Sequence, residues 1–214
     1  MDKPIILIYG GTGVGTTTYS FELAKSLDIN KIISTDDVRE VIRSILVKNV
    51  NPALDKSTYN AGQTKNYHEK SDKVKKVEII RGYKTQCESV NIGIEGVVRR
   101  ATNENLPLII EGIHLIPGKI KEWNIYEQCK NRLVEYFVYI GDKETHRERF
   151  KRRQIESPER NMDKYLKNFQ EIRWIQDYLL EKASDDHGIK LVNNIKDIIN
   201  IRKEMLKHFH QKNI

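Results

Sequence analysis

A glycine-rich segment near the start of the sequence constrains the fold more than any other feature. It follows the apolar run at 5–9, and a helical pattern begins at its end. A buried strand, a glycine loop and a helix in this order form the context of a phosphate-binding P-loop. The pattern G-x-x-x-x-G-K-[ST] is met except at its lysine. The segment consists of Gly10, Gly11, Thr12, Gly13, Val14, Gly15, Thr16, Thr17 and Thr18.

The chemistry of this loop favours a nucleotide triphosphate. Glycines let backbone N–H groups close around a polyphosphate, and the positive end of the following helix dipole adds to the attraction. We therefore predict that residues 10–18 bind ATP and that the Thr17 hydroxyl binds Mg²⁺. Thr16 stands where the motif has its lysine, so a catalyst of this type needs a cation from another part of the chain.

Apolar runs that are typical of buried parallel strands recur along the sequence, at 5–9, 31–34, 108–111, 134–140 and 190–192. Helical patterns separate them, at 37–47, 77–101, 142–153, 164–183 and 195–210. This alternation predicts an α/β fold with a doubly wound, mainly parallel sheet of five strands. Such sheets bind ligands beyond the carboxyl ends of their strands, so the P-loop should meet the segments at 34–39 and 111–114 at one rim.

The length of 214 residues fits a single domain over 1–214. Within this domain we expect two additions to the sheet and its helices. The region at approximately 50–104 is predicted to form a helical insertion on the substrate side. The region at approximately 142–163 is predicted to form a lid.

The composition limits the class of protein and of partner. No apolar run approaches the roughly 20 residues that cross a membrane, and the chain enters a strand at once, so we expect no membrane anchor and no signal peptide. Cys87 and Cys129 are far apart, which favours reduced thiols and a cytoplasmic location. The net charge of +7 favours anionic partners. Because this charge is dispersed among acids, no nucleic-acid partner is expected, and the oligomeric state stays open.

The second rim segment carries candidates for binding an acceptor and for moving a proton. Arg39 and Arg43 are four residues apart, so they share a helix face and can clamp a phosphate or carboxylate. Asp36 is suited to take a proton from an acceptor hydroxyl or to help hold Mg²⁺. Asp37, with Glu40 three residues later, resembles a capping box, so we assign it to the helix start.

The third rim segment contains a carboxylate and a histidine. Glu111 closes an apolar strand beside the P-loop, where P-loop enzymes place a base or a ligand of Mg²⁺ and its waters. The adjacent Gly112 allows a ligand to approach the backbone. His114 is a candidate for substrate binding or proton transfer, and a structural histidine in a turn is the alternative.

The charged helical pattern at 142–153 supplies candidate cations. Arg149 shares a face with Arg152 and Arg153, and Arg160 follows in a loop that contains proline. A charged helix with such a loop is typical of a lid that closes over a transferring phosphoryl group, whose charge arginines stabilise. We predict that Arg149 and Arg153 are catalytic and replace the missing lysine of the P-loop. The alternative is an ordinary solvated helix face.

Several strings of the sequence match one known family when they are taken together. They lie at 33–36 with 39–41, at 93–95, at 110–118, and at 164–173 with 175–176. The most specific is Glu111-Gly112-Ile113-His114-Leu115-Ile116-Pro117-Gly118. Over nearly the whole chain, the sequence resembles the 2-phosphoglycerate kinases, P-loop kinases known from methanogenic archaea. Full-length members can carry an extra N-terminal nucleotide-binding module, which this chain is expected to lack.

The resemblance implies a P-loop kinase of the nucleoside-monophosphate-kinase-like type. It further implies transfer of the γ-phosphoryl group of ATP to the 3-hydroxyl of 2-phosphoglycerate, with Mg²⁺, to give 2,3-diphosphoglycerate. Two alternatives stay open at this point. One is a kinase for another small phosphorylated acid or a nucleoside, and the other is a nucleotide-binding sensor that Thr16 has made inactive.

Overall fold

The computed structural model of the protein describes residues 2–46, 51–156, 162–194 and 198–212. The strands are β1 (Ile5–Gly10), β2 (Ile32–Ser34), β3 (Leu108–Gly112), β4 (Leu133–Tyr139) and β5 (Ile189–Asn193). The helices are α1 (Thr16–Leu27), α2 (Thr35–Ile45), α3 (Asp72–Asn103), α4 (Tyr126–Cys129), α5 (Lys143–Glu156), α6 (Asp163–Lys167), α7 (Phe169–Ser184) and α8 (Ile198–Lys212). Short 3₁₀ turns lie at Pro52–Asp55, Thr58–Asn60, Tyr67–Glu69, Lys119–Glu122 and Lys130–Arg132.

The five strands form one parallel sheet in the order β2-β3-β1-β4-β5. In β1, every residue is buried, because helices cover both faces of the strand and its neighbours take both edges. Leu7 and Tyr9 face the core shared with α3 and α7, whereas Ile6 and Ile8 face the core shared with α1 and α8. The predicted doubly wound sheet of five strands is confirmed, and each predicted strand agrees with the structure to within one or two residues.

Several helix boundaries differ from the sequence prediction; α3, for example, begins at Asp72, five residues before the predicted start at 77. The helix α2 begins at Thr35, and its N-cap is Ser34, whose hydroxyl accepts the backbone N–H of Asp36 at 3.2 Å. The capping box predicted at Asp37 is therefore wrong, since the serine at the end of β2 already caps the helix. The single helix predicted at 164–183 is divided into α6 and α7 at Asn168, whose amide donates to the carbonyl of Lys164.

The segment at 51–70 packs against α3 by a close backbone contact. An ideal Cβ built on Gly82 would lie 2.2 Å from the backbone nitrogen of Gly62, so neither position has room for a side chain. Near this contact, Gln86 donates to the carbonyl oxygens of Ala53 and Lys56, at 2.6 and 2.9 Å. These contacts hold the segment beside the rim at which the P-loop lies. Within the described residues, no helix is long and apolar enough to cross a membrane.

Candidate active site

The P-loop connects β1 to α1 through two residues with left-handed backbone. Gly13 has a φ of 84° and Gly15 a φ of 100°, conformations that favour glycine because other residues are strained there. Gly15 is the N-cap of α1, and no side chain caps this helix start. Backbone N–H groups are thus left for a ligand at the positive end of the helix, which is the arrangement that binds phosphates.

A cavity of about 220 Å³ opens over the P-loop. Its walls come from the P-loop, from the carboxyl ends of β2 and β3, and from α5 and α6, so the rim predicted from the sequence does assemble. Beside the P-loop residues, the lining consists of Ser34, Asp36, Glu111, Gly112, Ile113, Phe150, Arg153, Met162 and Tyr165.

Thr17 and Glu111 meet at the floor of this cavity. The Thr17 hydroxyl donates to Glu111 Oε1 at 3.1 Å, and the glutamate is only 4% exposed. Burial raises the pKa of Glu111, while hydrogen bonds from Thr16, Thr17 and Ser34 oppose that shift. A hydroxyl beside a carboxylate offers the hard oxygen donors that Mg²⁺ prefers.

Among the described residues, no group of three or more His, Cys, Asp or Glu side chains is arranged to hold a metal.

Asp36 stands at the mouth of the cavity, in the first turn of α2. Desolvation raises the pKa of its carboxyl, whereas the nearby Arg39 lowers it. Because 71% of the Asp36 side chain is exposed, solvent limits the desolvation, and we assign the group as an ionised carboxylate at neutral pH. It is accessible to a substrate from the solvent side.

His114 does not line the cavity, although the sequence made it a candidate substrate contact. Its ring is fully buried, with Nε2 3.1 Å from Gln86 Oε1 and Nδ1 3.2 Å from Thr35 Oγ1. The Gln86 amide nitrogen donates to Ala53 and Lys56, so its oxygen accepts, and the histidine proton lies on Nε2. The structure thus gives His114 the position of a structural histidine between β3, α2 and α3.

The protonation state of His114 follows from the same burial. Burial, together with the charge of Arg39, lowers the pKa of His114 to about 3. The ring is therefore neutral at physiological pH, and its 3.6 Å approach to the Asp36 carboxylate is not an ion pair. Thr35 and Gln86 satisfy both ring nitrogens, which leaves none for a substrate.

Arg39 and Arg43 are not among the residues that line the cavity. Arg39 is 14% exposed at its side chain, pairs with Glu40, and donates to the carbonyl oxygens of Leu54 and Lys56 at 2.5 and 2.7 Å. It holds the 3₁₀ turn at Pro52–Asp55 against α2. Arg43 is partly exposed and bonds to Glu40. The two guanidinium groups do meet around a carboxylate, but it is that of Glu40, with one arginine at each oxygen, and it lies outside the cavity lining.

The arginines of α5 occupy three different environments. Arg153 lines the cavity. Arg149 lies behind the P-loop, where it donates to the carbonyl oxygens of Val14, at 3.4 Å, and of Asn194. Arg152 is exposed, in a surface depression that Arg149 and acidic residues also line. Arg160 lies outside the described residues.

Three lining residues were not predicted, namely Phe150, Met162 and Tyr165. Phe150 lies between Arg149 and Lys151 in sequence and contacts Gly13 of the P-loop. Its ring stacks on that of Tyr165, with centroids 5.4 Å apart and planes 6° apart. The spacing of Phe150 from His146, four residues on a helix otherwise rich in charge, was the available signal, since both side chains share one face.

Comparison with known proteins gives a consistent group of relatives by sequence. The chain is 33% identical over 204 residues to the 2-phosphoglycerate kinase of Methanothermobacter thermautotrophicus, and 38% identical over 195 residues to that of Methanopyrus kandleri. The Thermococcus kodakarensis 2-phosphoglycerate kinase is 33% identical, with 98% of this chain and 68% of the relative covered. The chain spans 57% of the Methanopyrus protein and 64% of the Methanothermobacter protein. None of the known protein-family models matches it.

Solved structures establish the fold. A shikimate kinase from Acinetobacter baumannii, solved in complex with shikimate, has a TM-score of 0.53 at 16% identity, covering 99% of this chain and 96% of that chain. A gluconokinase from Sinorhizobium meliloti 1021 has a TM-score of 0.53 at 10% identity, covering 97% and 92%. At such identities the likeness shows the fold alone, which is the nucleoside-monophosphate-kinase-like P-loop kinase fold.

Proposed function

The chain belongs to the 2-phosphoglycerate kinase family, and from this premise we propose that it phosphorylates 2-phosphoglycerate with ATP. The reaction breaks the bond between the γ-phosphorus of ATP and its bridging oxygen, and it forms a bond to the 3-hydroxyl oxygen of the acceptor. ADP and 2,3-diphosphoglycerate leave, together with the hydroxyl proton. The observation that carries the proposal is the family membership, supported by a P-loop, two carboxylates and an arginine that line one cavity.

The P-loop binds the nucleotide in this proposal. Backbone N–H groups of Gly13, Gly15, Thr16 and Thr17 would surround the β-phosphate, and the dipole of α1 would add to the attraction. Thr17 and Glu111 would hold Mg²⁺, which when bound neutralises charge on the phosphates. The 3.1 Å hydrogen bond from Thr17 to Glu111 keeps both oxygen donors on the same side of the cavity floor.

Asp36 and Arg153, which both line the cavity, act on the transferring group. Asp36 is the candidate to receive the proton of the acceptor hydroxyl, since it is ionised and accessible at the cavity mouth. Thr16 stands at the position of the P-loop lysine, and Arg153 supplies the missing positive charge. Among the described residues that line the cavity, Arg153 is the only lysine or arginine. We propose Arg149 as a support of the P-loop and of the site rather than as a contact of the transferring phosphoryl.

The acceptor site extends from the cavity mouth toward the segment at 51–70 and α6. We propose that the region at approximately 50–104 forms its substrate side and that 142–163 includes a lid; residues 157–161 of the latter lie outside the described ranges. Arg39 serves this site by holding the turn at Pro52–Asp55, through the Leu54 and Lys56 carbonyls. Tyr165, which lines the cavity, is a candidate contact for the acceptor.

The deciding experiment incubates the purified protein with ATP, Mg²⁺ and a panel of acceptors. The panel contains 2-phosphoglycerate, 3-phosphoglycerate, glycerate and a nucleoside, with ADP release and product mass as readouts. We expect a product with the mass of 2,3-diphosphoglycerate from 2-phosphoglycerate. If only another acceptor is phosphorylated, the protein is a kinase but 2-phosphoglycerate is not its substrate.

A nucleotide sensor without turnover is the second candidate, and Thr16 is the observation that favours it. A single variant, Thr16→Lys, distinguishes the kinase from the sensor. If the wild-type protein binds ATP without any turnover and Thr16→Lys creates turnover, the sensor is correct.

A further inference from the structure

One face of α5 lies against the P-loop over two helical turns. His146, Arg149, Phe150 and Arg153 are spaced as i, i+3, i+4 and i+7, so their side chains share this face. The first three contact consecutive residues of the P-loop, and the fourth lines the cavity. The helix is therefore joined to the phosphate site along its length and not at one point.

The contact of His146 has a defined direction. Its Nε2 lies 2.9 Å from the carbonyl oxygen of Thr12, and its Nδ1 lies 3.5 Å from Nη1 of Arg173. A guanidinium group can only donate, so Nδ1 carries the lone pair and Nε2 carries the proton. His146 is thus a donor to the P-loop carbonyl, and Arg173 fixes the tautomer.

Arg173 is itself held in place. It is almost fully buried on α7 and donates to the carbonyl oxygens of Ile140 and Gly141, at 2.6 and 3.2 Å. Burial, together with the charges of Arg173, Arg149 and Arg153, lowers the pKa of His146 to about 4, although the bond to Thr12 opposes this shift. The histidine therefore remains neutral and keeps the same donor at physiological pH.

Phe150 continues the contact at the next residue of the loop. An ideal Cβ on Gly13 would lie 2.5 Å from Phe150 Cζ, so the ring lies directly on the glycine backbone. The ring also stacks on His146, with centroids 5.2 Å apart and planes 27° apart. Rigid aromatic packing of this kind transmits displacements between the helix and the loop.

We propose that His146 is a positioning residue that couples the P-loop to Arg153. The hydrogen bond that His146 donates to the Thr12 carbonyl fixes residues 146–153 of α5, here called the arm, to the P-loop. Arg153 therefore stays at a set distance from the phosphates. The role of Arg153 rests on the proposed function, whereas the coupling of α5 to the P-loop is a property of the fold that can be measured without turnover.

The first test measures the distance between α1 and α5. Spin labels are placed at Lys25→Cys and Lys151→Cys, both exposed positions, while the native Cys87 and Cys129 are fully buried. Without nucleotide, we expect a narrow distribution of distances between the two labels. His146→Leu should broaden it, and the control Glu148→Ala, on the exposed face, should leave it unchanged.

The second measurement adds a non-hydrolysable ATP analogue and Mg²⁺. The mean distance in the labelled, otherwise wild-type protein should then stay the same as without nucleotide. A shift of more than about 2 Å, which is typical of a moving segment, or an unchanged distribution in His146→Leu, overturns the proposal.

The second test is a double-mutant cycle on kcat with 2-phosphoglycerate. Loss of one hydrogen bond predicts that His146→Leu lowers kcat roughly three- to tenfold, with a smaller change in the KM for ATP. His146→Gln, which keeps a donor, should recover part of the loss. In an Arg153→Ala background His146→Leu should have little further effect, because the two residues act through one contact. Equal losses in both backgrounds overturn the coupling. If His146→Leu fails to fold, Phe150→Leu from the same face takes its place in the cycle.

Absence of any turnover in the wild-type protein would reject the proposed function and leave the distance measurement as the test of the arm. If the enzyme is active but the distance between α1 and α5 changes with nucleotide, the coupling of α5 to the P-loop is rejected and the proposed function is kept.

Discussion

In the proposed function, Arg153 supplies the charge that the altered P-loop lacks. We expect Arg153→Ala to lower kcat about a thousandfold, the lower end of what an added arginine contributes to phosphoryl transfer, with little change in the Kd for ATP. Thr16→Lys in the same chain should restore part of the rate, because the lysine returns charge to the phosphates. Steady-state kinetics and calorimetry measure the two quantities.

Arg152 provides the matched control for this prediction, since it is exposed on the same helix. Arg152→Ala should keep the wild-type kcat. Similar losses in both alanine variants would mean that the general charge of α5 matters and that Arg153 has no special position.

In the proposed function Glu111 takes part in catalysis, and its burial has a cost to stability. Because burial raises its pKa in the folded state, the folded protein binds this proton more tightly than the unfolded chain does. Its ionisation therefore lowers the free energy of unfolding as the pH rises above the ordinary value of 4.5. We expect Glu111→Gln to be more stable than wild type at pH 7 and equal to it in acid, and to lower kcat by about 10²–10³.

Urea unfolding at several pH values, paired with activity, checks both halves of the Glu111 prediction. A variant that loses activity and stability together would instead assign Glu111 to the structure of the rim.

At the scale of elements, the strands and the P-loop were predictable because their signals are local. Each of these signals, an apolar run of strand length or a glycine pattern, consists of consecutive residues. The structure has the strands and the loop at the expected positions. The start of α2 was misplaced because Ser34 and Asp37 are both good caps, and the end of β2 decides between them. The break at Asn168 depends on contacts that the helical pattern of 164–183 does not contain.

The candidate site was predictable to the same extent. Thr17 and Asp36 lie in the first turns of the helices that follow β1 and β2, and Glu111 lies at the carboxyl end of β3, so the parallel sheet brings them together. Arg39 carried no sequence signal for its real partners, because these are backbone carbonyls of a turn more than ten residues away. Phe150 was hidden among charged residues, since only the tertiary structure shows which face of α5 meets Gly13.

The contact between the segment at 51–70 and α3 gives a prediction for a whole element. Gly82→Ala places a methyl group 2.2 Å from the Gly62 nitrogen, so the segment must move. We expect a loss of about 1–3 kcal/mol in the free energy of unfolding, the usual penalty of overpacking, and a higher KM for the acceptor. Urea denaturation and acceptor kinetics test this.

Gly96 is the control on the same helix, because a Cβ there meets nothing within 4 Å. Gly96→Ala should stabilise the protein by up to about 1 kcal/mol through helix propensity. A loss of stability in both variants would show that α3 tolerates no added side chain, whatever its surroundings.

At the scale of the whole molecule, two buried histidines make the fold sensitive to acid. His146 and His114 have pKa values lowered to about 4 and about 3, from 6.5 in an unfolded chain. Between pH 6.5 and 4 the unfolded state therefore binds protons that the folded state does not, and stability falls as the pH falls. Each histidine contributes a slope of up to about 1.4 kcal/mol per pH unit.

The contribution of one histidine is isolated by comparing wild type with His146→Gln, because the buried carboxyls act oppositely and are common to both. The variant should show a shallower loss of unfolding free energy between pH 6.5 and 4. Parallel curves for the two proteins would contradict the lowered pKa of His146.

The order of the sheet also determines when the phosphate site is completed during synthesis. The strand β1 lies at the centre, with Ile5 paired to Leu108 on one side and to Leu133 on the other. A ribosome therefore releases the P-loop long before the strands that support it, and the apolar β1 must remain unpaired meanwhile. Such long-range parallel pairing forms slowly and exposes the nascent chain to aggregation. Because the P-loop is translated before β3 and β4, the strand that precedes it can be supported on both sides only after β4 has left the exit tunnel.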